Sequence, residues 1–222
     1  MKPSCSLALA AVIATCGAAF ESFGQAAVAA KPATIWYSEQ FIVHSKNVGR
    51  DFLIQIARPI RPQVTKSPVV YLLDGNGLFG EVADMVLTNG YFGDNAAAYV
   101  VGIGYPAQEF NQWLSLRNHD LIHVRVPDNF KMAMGSGEGA KFQKFLLEEL
   151  RPLIERRYPV DAHRAILAGH SFAGLFTLHV LLIDPGAFDD YLICSPSIWA
   201  EPQLLEKASA FYTSIPLKVF IG

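Results

Sequence analysis

The chain has 222 residues, a net charge of −2 and 51% apolar residues. That suffices for one ordinary core. Near neutrality without a Lys/Arg-rich block excludes nucleic acid as a partner, because phosphate binding needs a concentrated basic face. The chain opens like an export leader. Lys2 precedes an apolar stretch over residues 7–20 that ends at Glu21, short of the roughly 20 apolar residues that span a bilayer. Ala27-Val28-Ala29 offers an A-x-A cleavage site. Residues 1–30 are expected to be a signal peptide and residues 31–222 a single α/β domain, periplasmic or secreted, with no membrane span. "IATC", ending at Cys16, weakly resembles a lipoprotein site. Cleavage of the leader removes Cys5 and Cys16 and leaves Cys194 with no internal disulfide to form.

Strand-like and helix-like segments then alternate. "TIWYSEQFIVHS" and "RDFLIQIARP" predict two early strands, the second with Phe52, Ile54 and Ile56 on one face. "PVVYLLD" and "AAYVVGIGY" are continuous apolar runs, as in strands buried on both faces. "LFGEVADMVLTNG" between them reads as a helix closed by Gly90. Residues 105–135 read as a long irregular loop. A helix follows from near Ser136 or Gly137 to about Tyr158, with Phe142, Phe145, Leu146, Leu150, Leu153 and Ile154 spaced by three and four. The strand "RAILAG", the helix "FAGLFTLHVLLI", the strand "YLICS", the helix "EPQLLEKASAFYT" and the strand "LKVFI" complete the pattern. This alternation implies a mostly parallel sheet with helices on both faces.

Two glycine motifs compete. Gly75-x-Gly77-x-x-Gly80 follows a strand and precedes a helix, as a dinucleotide fingerprint would. The acidic residue expected about 20 residues later, at the end of the next strand, is missing; that strand ends in glycines, and Asp94 comes before it. The second motif, Gly169-His170-Ser171-Phe172-Ala173-Gly174, lies between strand and helix in the order of a nucleophile elbow. Ala173 stands where the second glycine of G-x-S-x-G is usual. Both motifs fit together if "DGNG" is an oxyanion loop, with the Phe172 N–H as one donor and Asn76 or Gly75 as the other.

The segments "VVYLLDGNG", "VVGIGYP", "KFLLEELRPLIERRYPVDAHRAILAGHSFAGLF" and "DDYLICSPSIW" resemble the esterase family of α/β hydrolases. That family includes siderophore esterases, S-formylglutathione hydrolases and mycolyltransferases, and the sequence is most similar to the siderophore (enterobactin-type) branch. The Arg-x-x-Asp segment of that branch is matched by Arg117-Asn118-His119-Asp120, whereas Ile122 and His123 depart from its continuation. The resemblance implies an α/β-hydrolase fold and cleavage of a small carboxylic ester through an acyl-serine at Ser171, without a cofactor. It would place the acid just after "LKVFIG" and the histidine one strand later, so the chain is expected to be C-terminally truncated, without its last strand and helix, and to turn over esters poorly. A corollary is that "LKVFIG" should form an exposed apolar edge.

No histidine in the chain is an evident substitute. His170 adjoins Ser171 but should diverge from it, and His179 lies about 12 Å along the helix. His163 is expected at the far end of its strand and His44 in an early one. His119 and His123 lie in the long loop, where either could approach. Arg117 and His119 are possible substrate contacts, with a surface arginine the plainer reading of Arg117. Glu148 and Glu149 read as solvated, Asp189 and Asp190 as a turn, and Asp74 as orienting the oxyanion loop. No cluster has zinc-ligand spacing, so no metal is expected. Besides the hydrolase, a non-catalytic ligand-binding domain and a dinucleotide-binding enzyme remain open.

Overall fold

A computed structural model describes residues 34–61, 66–92, 97–126 and 137–222. The expected signal peptide, Cys5, Cys16, Asp94 and Ser136 lie outside the described residues.

Seven strands form one sheet: β1 Ser38–Ser45, β2 Arg50–Ala57, β3 Ser67–Leu73, β4 Tyr99–Gly104, β5 Val160–His170, β6 Asp190–Cys194 and β7 Lys218–Ile221. Their order is β1-β2-β4-β3-β5-β6-β7. The β1–β2 and β2–β4 pairs are antiparallel and the other four pairs parallel. β3 and β4 are buried along their whole length, as their unbroken apolar runs require. Alternate side chains of β3 serve opposite faces: Val69, Tyr71 and Leu73 enter one core, Val70 and Leu72 the other. Phe52, Ile54 and Ile56 of β2 all join the first.

Helix α1, Gly75–Phe92, covers the second face with Phe79, Ala83 and Leu87. It begins at Gly75, so the expected "DGNG" loop is instead the first turn of a helix. Gly90 does not close it, since it runs on to Phe92. A helix α2, Phe110–Leu121, occupies the stretch expected to be irregular. The long helix starts at Gly139 and is continuous through α3 Gly139–Lys144, a π-helical turn Phe145–Leu150 and α4 Arg151–Arg157. The widened turn ends two residues before Pro152, which has no N–H to continue the ordinary ladder. Phe142 and Phe145 pack on Phe52 at 5.4 and 4.3 Å between ring centres. α5, Phe172–Ile183, follows the elbow; a 3₁₀ turn, Ile198–Ala200, and α6, Leu204–Ser209, follow β6.

Glu148 and Glu149 are not idle on a wet helix face. Glu149 accepts the Lys46 and Asn47 N–H groups at 3.1 and 2.8 Å, and Glu148 accepts from the Asn47 amide, tying the β1–β2 turn to the long helix. Asp189 and Asp190 also serve the backbone, accepting the N–H of Ala165 and Lys218 respectively, both at 2.8 Å. β7 lies at the sheet edge with Val219, Phe220 and Ile221 39%, 58% and 61% exposed, the geometry that invites edge-to-edge association. Among the described residues, no helix is long and apolar enough to cross a membrane.

Candidate active site

The site is built where the parallel strands end. β3 and β5 are adjacent and in register, Leu72 opposite Ala168, so the turns leaving them, at Asp74 and Ser171, are neighbours. Ser171 has φ 61° and ψ −117°, a conformation that costs an L-residue energy and is held by its surroundings. Its N–H donates to the Cys194 carbonyl at 3.0 Å, while its own carbonyl accepts from Leu175 and Ser197 at 2.9 and 3.1 Å. The side chain is half-buried and its Oγ lies 3.1 Å from Ser197 Oγ.

The elbow's small residues each meet a specific neighbour. A Cβ on Gly169 would overlap the Ala173 carbonyl, and one on Gly174 would lie 2.6 Å from the Cys194 carbonyl. Ala173 itself is fully buried in the core. The close approach to β6 therefore falls on Gly174, and a methyl group is accommodated at 173.

Phe172 is the first residue of α5 and Asn76 the second of α1, so neither N–H has an acceptor within its helix. Asn76 is fixed by its side chain, which donates to the Tyr105 carbonyl at 2.8 Å and accepts the Tyr105 N–H at 2.7 Å. This bridge locks the start of α1 to the end of β4. Gly75 is buried, and a Cβ there would lie 2.9 Å from Gly102 C and Ile103 N; its glycine lets α1 start against β4. A cleft of about 390 Å³ opens beside Asn76 and Gly77, walled by Ala107, Gln108, Glu109, Phe110 and Trp113.

Arg117 is 7% exposed, which corrects the surface reading. Its Nε and Nη2 donate to the two Asp74 carboxylate oxygens, both at 2.7 Å. Its Nη2 reaches the His170 carbonyl at 3.4 Å. The guanidinium lies 5.4 Å from the Trp113 ring and 5.2 Å from the Phe172 ring. One arginine thus joins the turn after β3 to the turn after β5. Asp74, at φ 58°, accepts the Gly77 and Leu78 N–H groups at its carbonyl, 3.0 and 3.1 Å away. His119 is half-buried; its Nδ1 lies 2.9 Å from Arg50 Nη2 and 2.8 Å from Asp120 Oδ1.

Among the described residues, no histidine hydrogen-bonds to Ser171. His44 pairs with Asp51, His119 with Arg50 and Asp120, and His179 with Glu201 at 3.1 Å. His163 and His170 are exposed, the former near the opposite end of β5. His123 stacks on His179, ring centres 3.5 Å apart.

Sequence reasoning missed Ser197 and Trp199, whose ring lies 5.4 Å from that of Phe172. The signal for both was "SPSIW" directly after β6. It also missed Glu201, which is 1% exposed. Glu201 accepts the N–H groups of His123 and Val124 at 2.9 and 3.3 Å and pairs with His179, fastening the segment that carries Ser197 onto α5.

The chain resembles known proteins in sequence and fold. Residues 45–215 match the family described as "Putative esterase". The chain belongs to that esterase family. Over 191 residues it is 37% identical to the ferri-bacillibactin esterase BesA of Bacillus subtilis, an alignment spanning 80% of this chain and 65% of the relative. It is 32% identical over 193 residues to the siderophore triacetylfusarinine C esterase of Aspergillus fumigatus, spanning 81% and 63%. The chain thus spans somewhat less than two thirds of the length of these two curated relatives. The crystal structure of the BES protein from Bacillus cereus superposes with a TM-score of 0.77 at 30% identity, covering 87% of this chain and 76% of that one. The fold is that of the α/β hydrolases, as the resemblance implied.

Proposed function

We propose that this esterase-family chain carries the nucleophile and oxyanion donors of a serine ester hydrolase acting on small siderophore-type esters. The observation that carries the reading is Ser171 at φ 61° on the β5–α5 turn, with Phe172 opening the helix behind it. In the reaction, Ser171 Oγ attacks the ester carbonyl carbon while its proton passes to solvent water, which returns a proton to the departing alkoxide. The oxyanion then accepts from the Phe172 N–H and from an N–H at the start of α1, at Gly75 or Asn76. Collapse expels the alcohol, and water later releases the acid from the acyl-serine. The cleft beside Asn76, with Phe110 and Trp113 in its wall, would receive the acyl portion. The substrate class follows from the similarity to siderophore esterases.

No described histidine touches the hydroxyl, whose side-chain partner among the described residues is Ser197. That observation favours a second reading, a domain that binds such an ester without cleaving it. The test is hydrolysis of a triscatecholate siderophore ester, followed by chromatography, alongside Ser171→Ala. The hydrolase reading expects slow cleavage that Ser171→Ala abolishes. Saturable binding with no cleavage by either protein would replace it with the binding reading.

A further inference from the structure

Away from Ser171, three side chains with metal-ligand chemistry converge from distant parts of the sequence. His123 follows α2, His179 lies in the second half of α5, and Glu201 follows the 3₁₀ turn. One ligand atom from each lies within 4.8 Å of the other two. His179 Nδ1 and Glu201 Oε2 are 3.1 Å apart. That is close to the edge of about 3.3 Å separating two ligands of a tetrahedral ion with bonds of about 2.0 Å. His179 and Glu201 are almost fully buried and His123 is half-buried.

His123 supplies the second observation. Neither of its ring nitrogens makes a hydrogen bond of good geometry, the Gln143 side chain being the polar group nearby. Unpartnered buried nitrogens are costly and mark places where an ion or water belongs. Burial, and then the neighbouring His179, push the His123 imidazole down to about 3. Burial pushes the Glu201 carboxyl up, but the His179 hydrogen bond and charge and the His123 N–H outweigh it and hold the group below its usual range.

We propose that His123, His179 and Glu201 form a buried site for a divalent transition-metal ion of the zinc class. Two imidazoles with one carboxylate select such ions over Mg²⁺ and Ca²⁺, which prefer all-oxygen sets. Glu201 Oε1 keeps the His123 and Val124 N–H groups, so the carboxylate stays oriented while Oε2 takes the ion. An ionised carboxylate only accepts, so His179 now donates from Nδ1; to ligate there, the ring loses the Nδ1 proton to solvent and holds its one proton at Nε2. His123 must also turn. Its ring is 3.5 Å from that of His179 and 3° from parallel, and such stacked planes share no point where one ion meets both lone pairs. The ion would clamp the segment carrying Ser197 and the chain after α2 onto α5, a structural role separate from the ester chemistry.

The test is the melting temperature of the untagged chain with ZnCl₂ or MgCl₂, together with visible absorption after adding CoCl₂. Zinc at a hundredfold excess over its Kd should raise Tm by about 5–10 °C, magnesium should not, and cobalt should give a ligand-field band. His123→Phe keeps a flat ring between Phe176 and His179 but removes both nitrogens. It should retain the metal-free Tm and lose both responses. Should that variant not fold, His123→Leu is read the same way. No zinc shift and no cobalt band in the unaltered chain, or responses kept in the position-123 variant, would overturn the site.

Discussion

Replacing Gly169 with alanine should destabilise the fold by at least about 3 kcal/mol, beyond the usual cost of one extra methyl in a core. The added Cβ would overlap the Ala173 carbonyl and lie 2.8 Å from Thr177 Oγ1. Neither neighbour yields cheaply. The Ala173 carbonyl is backbone in the first turn of α5, and Thr177 Oγ1 already donates to that same oxygen at 2.8 Å. Relief requires α5 to lift from β5, and α5 carries Phe172, Leu175, Phe176 and Val180, all 2% exposed or less. Against a total stability of about 5–15 kcal/mol, that change removes a large part. Urea unfolding of Gly169→Ala beside Gly77→Ala, where a Cβ meets nothing within 4 Å, checks it. Equal midpoints would mean that the elbow is not packed as described.

The second large effect is expected at Arg117. Arg117→Met keeps much of the side-chain volume but strands the Asp74 carboxylate, whose side chain is 8% exposed. Breaking a buried pair from one side costs about 3–5 kcal/mol, because the remaining charge stays desolvated. Asp74→Asn combined with Arg117→Met should recover part of that loss, since neither member is then a buried ion. A double-mutant cycle from urea midpoints reads the coupling directly. A single-variant loss below about 1 kcal/mol would return Arg117 to the solvated role its sequence position suggested.

The parallel sheet was legible because β3, β4 and the apolar part of β5 are unbroken runs, and Phe52, Ile54 and Ile56 alternate cleanly. The elbow was legible because its residues are contiguous. α2 was not: "FNQWLSLRNHDL" buries Arg117, Asn118 and Asp120, polar residues that hide an inward face. The polar beginning of β5 was also hidden. "VDAHR" joins the strand through the pairing of Val160 with Ser67, a long-range partner that local pattern cannot supply. DGNG was assigned to a loop because all four of its residues favour turns. In the fold, Gly75 is instead what lets α1 start against β4. Ser197 beside Ser171, and Glu201 beneath His123 and His179, are contacts between distant segments that only the assembled fold brings together.

We propose that Ser171 is the nucleophile, with no base hydrogen-bonded to it among the described residues. Phosphonylation by a fluorophosphonate, read by intact mass and peptide mapping with and without added imidazole, tests it most directly. The expected result is slow labelling confined to Ser171, accelerated severalfold by imidazole and absent in Ser171→Ala. Labelling at another residue, or fast labelling of Ser171 that imidazole does not change, would contradict it.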